Sequence, residues 1–362
     1  MSEALVERGH DVHVVTYALG DPCVRVSYAL HRVGMRGVRV SPRPGPSFTK
    51  LAVLDPLLTA RTRRLVRGGG FDVIHAHHYE GLIAALLARG RVTVPIVYDA
   101  HTLLASELPH YKLPLPRRVV ERIGLELDSR LPARADHVIA VTERMRAWFT
   151  GPGSIAADRI SLIPSGVEHE HFAPAAPATR DAAHHVVFSG NLASYQRIDL
   201  LLDAFRAVRD VRPQARLTVI TDGDHGSLNV AVRASGLAGA VTALRADYAS
   251  LPAHLSTADV LVNPRTACDG IPQKLLNYMA AGRPIVSFSG SAAVLEHDRT
   301  ALIAEDGDTG AFARAVVRLL DEPQLGARLG AAAQRAVVAS YGWPQLAGRV
   351  EDVYRSLTGK PC

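Results

Sequence analysis

Cysteine is scarce: Cys23, Cys268 and Cys362 are the only three in 362 residues, and none lies close to another. That rules out a disulfide framework and a Cys-rich metal site, and makes a reducing, cytoplasmic compartment the expectation. Aromatic residues make up only 6% of the chain, which argues against a base-stacking surface and against nucleic acid as the partner. No apolar run approaches the roughly 18 residues of a spanning helix, and no signal peptide is read at the start, so a soluble protein is expected. The dinucleotide fingerprint GxGxxG and the phosphate loop GxxxxGK[ST] are both missing. Their absence argues against an NAD-dependent dehydrogenase and a P-loop ATPase.

What is present points to a globular chain. Hydrophobic residues account for 48% and charged residues for 21%, which excludes disorder as the main state. The length corresponds to about two domains, each able to bury a core. The net charge of +6 and a pI near 9.4 suit anionic partners in general and do not choose among nucleotides, phospholipid surfaces and nucleic acid.

Met1–Gly9, MSEALVERG, reads as the second half of an amphipathic helix ended by a glycine cap. The strand DVHVVTYA follows. A doubly wound sheet normally places a central strand before that helix. The expectation is a start codon assigned too late, with an incomplete first sheet as the alternative. Strands are then expected at Val38–Pro42, Phe71–His78, Thr93–His101, His137–Thr142 and Ile160–Gly166, with helices over Leu57–Arg67 and after Tyr79. Near-continuous apolar strands alternating with helices imply a parallel sheet covered on both faces. The Pro/Ala-rich Phe172–Ala183 reads as a linker. The pattern restarts with HHVVFSG, ARLTVITDG, AVTALR, ADVLVNP, RPIVSF and TALIAED, so a second Rossmann-like domain is expected. The boundaries read as 1–172, 184–340 and a terminal helix over 342–358. That helix carries Leu346, Val350, Val353, Tyr354 and Leu357 on one stripe, and packs either on its own domain or back on the first.

In tandem open α/β domains, ligands bind beyond the carboxyl ends of the strands, so the cleft between domains is the default site. Three strand ends stand out. After Asn263 a Gly/Pro loop leads into a helix near Pro272, whose free N–H groups and dipole suit phosphate. Lys274 and Arg265 add charge there, and Asp269 is placed to bond sugar hydroxyls, with N-capping as the plainer alternative. The loop and helix start (Gly270, Ile271, Gln273, Leu275), with Asn277 farther along, complete this part of the expected donor site. After Phe188, Gly190 permits close backbone approach, and Asn191, Gln196 and Arg197 are candidate phosphate or hydroxyl contacts. The third is His101 beside Asp99, with His75, His77 and His78 on the preceding strand. His75 and His77 share one face, but no cysteine or carboxylate ladder accompanies them, and no metal is expected. His101 is expected to bond a polar ligand, with Asp99 orienting a neighbour.

Together these stretches resemble the retaining glycosyltransferases of family 4, of GT-B fold. RGHDVHVVT, ADHVIAVTERMRAWF…RISLIPSGVEHEHFAP, GNLASYQRIDLLLDAF, ADVLVNP, PQKLLNYMAAGRPIV and TALIAEDGDTGAFARAVVRLLDEP follow the family order over nearly the whole chain. The resemblance implies two Rossmann-like domains facing a central cleft, with the terminal helix crossing back to the first. It implies a UDP- or GDP-linked sugar as substrate, no other cofactor, and catalytic roles for His101, Asp269 and Lys274. The family's Glu-x7-Glu pair falls on Asp269 and Asn277, and its usual Arg and Lys fall on the neutral Asn191 and Gln196. This marks a Tyr-Gln variant subgroup in which Lys274, Arg197 and Arg265 must supply the positive charge.

The implied chemistry is metal-independent. Cations and helix-start N–H groups stabilise the charge that develops on the leaving diphosphate, and the β-phosphate takes the acceptor's proton. The acceptor is expected to be a glycan, a lipid-linked molecule or a small molecule in glycoconjugate or polysaccharide synthesis. Arg61, Arg63, Arg64 and Arg67, with the basic-apolar stretch Tyr111–Arg130, are compatible with peripheral contact at the inner face of the plasma membrane or with solvated helix faces. The alternative function is an inactive relative acting as a scaffold in a polysaccharide assembly complex.

Overall fold

A computed structural model describes residues 1–20, 23–35, 49–110, 115–173 and 184–360. The chain divides into two compact units, one formed by Met1–Ser165 with Trp343–Cys362, the other by Gly166–Gly342.

The first unit opens with helix α1 (Ser2–Glu7) and the parallel pair β1 (His13–Tyr17) and β2 (Ala29–Val33). After α2 (Asp55–Gly68) come β3 (Ile74–His77), α3 (His78–Arg89), β4 (Ile96–Ala100), α4 (Leu104–Glu107) and α5 (Arg117–Arg130). The strands β5 (His137–Ala140) and β6 (Ile160–Leu162) flank α6 (Glu143–Thr150). Strands β3-β4-β5-β6 form a four-stranded parallel sheet in sequence order, distinct from the β1-β2 pair among the described residues. The segment Val38–Pro42, expected as a strand, lies outside the described residues. Neighbouring side chains on each strand face opposite ways, so the four-stranded sheet serves two cores. Tyr98, Ala100, Val138 and Ala140 pack with Leu82 of α3 and Met145 and Phe149 of α6.

In the second unit α7 (His169–Phe172) precedes β7 (His185–Ser189), α8 (Ile198–Val211), β8 (Arg216–Ile220), α9 (His225–Ala234) and β9 (Val241–Leu244). Then come α10 (Leu251–Ser256), β10 (Val260–Asn263), α11 (Gln273–Ala280), β11 (Ile285–Phe288), β12 (Leu302–Ala304), α12 (Thr309–Asp321) and α13 (Pro323–Ser340). Its six parallel strands run in the order β12-β11-β10-β7-β8-β9, the doubly wound order of a Rossmann sheet. Val186 and Phe188 point to α8 and α12, whereas Val187 between them points to α11 and α13. Phe172, expected in a linker, is instead buried at the end of α7, and with Val167 it packs on the α11 side of this sheet. Residues 166–172 therefore belong to the second unit, not the first.

The terminal helix α14 (Trp343–Thr358) belongs to the first unit. Its Leu346, Val350 and Val353 cover Val97 and Ile139 on the sheet face opposite α3 and α6. Burying each such side chain is worth about 1.5–3 kcal/mol. Glu351 of α14 accepts from Arg8 beyond α1 at 2.5 Å and meets His10 at 2.9 Å. The chain thus leaves the second unit where it entered it: the Val167 amide donates to Tyr341 carbonyl at 2.9 Å, and Val167 is bridged to Gly342.

Candidate active site

The strand order of the second unit reverses between β7 and β10, and a ligand crevice in such a sheet opens at the carboxyl ends of those two strands. The two expected donor loops start there. Tyr278, buried in α11, accepts a hydrogen bond from the Ser189 amide at 2.7 Å and so ties the end of β7 to α11. On the other side, the buried Asn263 amide donates to Ser287 Oγ at 2.9 Å and to Ser291 Oγ at 2.7 Å. Ser291 in turn donates to the Arg265 carbonyl at 2.6 Å, anchoring the loop that follows β10.

These ties bring Lys274 against Gly190. Lys274 Nζ donates to Gln196 Oε1 at 2.6 Å and lies 4.0 Å from the centre of the Phe188 ring. A Cβ on Gly190 would lie 2.9 Å from that Nζ, so a larger residue here would have to displace the lysine head group. Gly190 also has φ of 151°, a conformation that favours glycine. Among the described residues Lys274 forms no ion pair. Burial, and next the Arg265 guanidinium, hold its ammonium well below the ordinary lysine value, with Cys268 opposing. Enclosure makes the charge costly until an anion joins it.

Around this pair the other candidates divide. Arg265 stacks its guanidinium 4.7 Å from the Tyr195 ring centre and donates to Ala267 carbonyl at 2.6 Å. Asn191 donates to Tyr195 Oη at 2.8 Å and accepts from the Ala193 amide at 3.0 Å. Tyr195 therefore joins Asn191 and Arg265, a role the sequence reading missed although Tyr-Gln was noted as unusual. Arg197 is left-handed (φ 53°) at the start of α8 and its guanidinium is paired with Asp199 at 2.7 Å, so its charge is already engaged. Asp269 and Gly270 are buried, and the residue at the N-cap of α11 is Pro272, which has no capping side chain. Ile271 packs on the α11 core and Leu275 is fully buried in it, with its amide bonded to Pro272 carbonyl at 2.9 Å. Leu275 is thus a core side chain rather than a side-chain contact for a ligand. Gln273 is exposed and donates to Gly166 carbonyl at 3.0 Å, while Asn277 is partly buried one turn beyond Lys274.

In the first unit His101 follows β4 and joins a histidine group. Parallel pairing sets His77 opposite Asp99, and His75 stacks on His77 with centroids 4.7 Å apart. His101 Nε2 lies 3.0 Å from His77 Nδ1, and its ring stacks on His78 at 4.6 Å. His78 reaches it from a left-handed backbone (φ 56°) at the β3–α3 junction, a strained conformation for a non-glycine residue. Burial and then His75 push His77 down to about 3, with Asp99 opposing, and burial likewise lowers His101. Burial works against the Asp99 carboxylate, but His101, His75 and His77 together hold it below the usual range.

Comparison with known proteins agrees with this architecture. Residues 1–171 match the model described as Glycosyltransferase Family 4, and residues 183–322 the model described as Glycosyl transferases group 1. The D-inositol 3-phosphate glycosyltransferase of Pseudarthrobacter chlorophenolicus is 27% identical, over 99% of this chain and 89% of that protein. The phosphatidyl-myo-inositol mannosyltransferase of Mycobacterium leprae is 26% identical, over 99% and 91%. Among solved structures, sucrose-phosphate synthase from Thermosynechococcus elongatus superposes with a TM-score of 0.82 at 20% identity, covering 99% of this chain and 92% of that one. HepE of Anabaena, in complex with UDP-glucose, gives 0.69 at 18% identity, over 86% and 84%. Bearing a Glycosyltransferase Family 4 domain and a Glycosyl transferases group 1 domain on two Rossmann-like units of the GT-B fold, the chain is a glycosyltransferase.

Proposed function

We propose that the chain transfers a sugar, with retention and without a metal, from a UDP- or GDP-linked donor to an inositol phosphate, free or lipid-borne. The observation that carries the donor half is the Lys274 ammonium, enclosed by Phe188, Gly190 and Gln196 and given no carboxylate among the described residues. A partly buried cation of this kind, with no carboxylate beside it, gains most from an anion with several acceptor oxygens, such as a diphosphate. Breaking the sugar–phosphate bond places further charge on that diphosphate. Lys274, Arg265 and the start of α11 then hold the leaving group more tightly in the transition state than in the ground state. The β-phosphate oxygen on the same face accepts the proton from the incoming hydroxyl. Asp269 bonds donor-sugar hydroxyls, and His101 contacts the transferred sugar.

The acceptor half is supported by the names of the two relatives, both of which refer to inositol. Peripheral membrane contact at the cytoplasmic face is read from α5, where Val119, Ile123 and Leu125 stand exposed among arginines. Arg61 and Arg63 of α2 are less available, being bonded to His31 and to the Leu87 carbonyl.

The test is a thermal-shift and donor-hydrolysis panel over UDP, GDP and their sugars, followed by transfer to inositol 3-phosphate and to phosphatidylinositol vesicles. Stabilisation by one nucleotide with turnover of its sugar is expected. A chain that responds to no nucleotide is the inactive scaffold instead. Donor hydrolysis with neither acceptor used keeps the donor site and overturns the acceptor.

A further inference from the structure

We propose a divalent transition-metal site, suited to Zn²⁺, formed by His77, His101 and Asp99 at the carboxyl ends of β3 and β4, with His75 as fourth ligand. The three principal atoms form a small triangle. His77 Nδ1 and His101 Nε2 are 3.0 Å apart, and they lie 3.4 and 3.6 Å from Asp99 Oδ2. Zinc bonds to nitrogen and oxygen of about 2.0–2.2 Å set ligand–ligand edges of roughly 3.3–3.6 Å in a tetrahedron. The observed edges already approximate that spacing. His75 Nε2 stands 3.5 Å from the same Oδ2, and the potential ligand atoms of His75, His77 and Asp99 fall within 4.8 Å of one another.

Two further features fit a metal better than a plain hydrogen-bond network. Asp99 is buried, 8% exposed, and its Oδ1 has no hydrogen-bond partner, a costly state for an anion unless a cation shares the carboxylate. His75 Nδ1 bonds the Tyr354 hydroxyl at 2.6 Å, the outer contact that orients a ligating imidazole and frees its other nitrogen. Imidazole with one carboxylate selects Zn²⁺, Co²⁺, Ni²⁺ or Cu²⁺ over Mg²⁺. Sequence spacing alone argued against a metal, because the carboxylate comes from the neighbouring strand rather than from the His-x-His strand itself.

The site lies in the first unit, whereas the cations assigned to the leaving group lie in the second, so it takes no part in holding the leaving group, but it draws on His101, which is assigned above to the transferred sugar. Occupancy would engage the His101 nitrogen and should slow transfer.

The test uses the full chain, stripped with chelator and titrated with Zn²⁺ by calorimetry and with Co²⁺ by visible absorption. One Zn²⁺ per chain is expected, displacing Co²⁺ whose spectrum is that of a tetrahedral ion, with no comparable uptake of Mg²⁺. His77→Ala and Asp99→Asn should each weaken Zn²⁺ binding by more than about 100-fold, and Tyr354→Phe by about 10-fold. Each variant is first shown to keep the wild-type melting temperature without metal, and His77→Gln replaces His77→Ala if the latter does not fold. Failure of Zn²⁺ to bind the wild type, or folded His77 and Asp99 variants that bind it undiminished, overturns the site. Neither result depends on turnover, so either would leave the glycosyl-transfer reading standing.

Discussion

The two units place opposite charges in similar positions. At the strand ends of the first, a buried carboxylate, Asp99, is surrounded by imidazoles. In the second, a partly buried ammonium, Lys274, is surrounded by an amide, an aromatic face and a glycine. One is short of a cation and the other of an anion. Each unit also carries a non-glycine residue in left-handed backbone near its site, His78 in one and Arg197 in the other. A Rossmann-like scaffold thus fixes where a ligand goes, and the sign of the enclosed charge fixes what kind it is.

The largest effect should come from removing the ammonium. Lys274→Met should lower kcat/KM for transfer by about 100- to 1,000-fold, near the roughly 2.7–4 kcal/mol that one lost oxyanion donor costs. Its melting temperature should hold or rise, because an apolar side chain avoids the desolvation cost of a buried charge. Turnover equal to wild type would break the contrast between the units.

The next effect falls on the first unit alone. Arg8, followed by His10, holds the Glu351 carboxyl down at about 2. Because this lies below the unfolded value, its stabilisation is present above about pH 4.5 and is lost as the pH falls toward 2. Glu351→Ala should cost about 1.5 kcal/mol at neutral pH, measured by urea unfolding, with the difference from wild type narrowing in acid. Loss of nucleotide-induced stabilisation in this variant would mean that the units do not keep their sites independently.

Gly190→Ala should cost about 1–3 kcal/mol, since it puts a methyl into the space of Lys274 Nζ and strains the backbone. UDP affinity should fall with it, as seen by calorimetry. The smallest effect is a fraction of a proton. An arriving diphosphate raises the depressed Lys274 value, so UDP binding should take up protons at alkaline pH, read from the buffer dependence of the binding enthalpy. Proton release would contradict the enclosed-ammonium site.

The periodicity that built both sheets was legible, because strands buried on both faces write long apolar runs. β2 was not: ALHRV carries His31 and Arg32 and is too short to show a period. The short helices α4, α7 and α10 fall below the length at which a helical stripe can be read. Within the site, Lys274, Arg265 and Asn191 were visible as residue types beside glycines. The Lys274–Gln196 bond was not, since it spans 78 residues and depends on Tyr278 tying α11 to β7. Arg197 looked available from its type, and only geometry shows Asp199 holding it.

The last helix bears on how the molecule is born. Because α14 covers one face of the first unit's sheet, that unit lacks part of its cover until Trp343–Thr358 has been made. The second unit, closed on itself between Gly166 and Gly342, has all its parts earlier. The unit encoded later therefore has all its parts while the one encoded earlier still waits for its last helix.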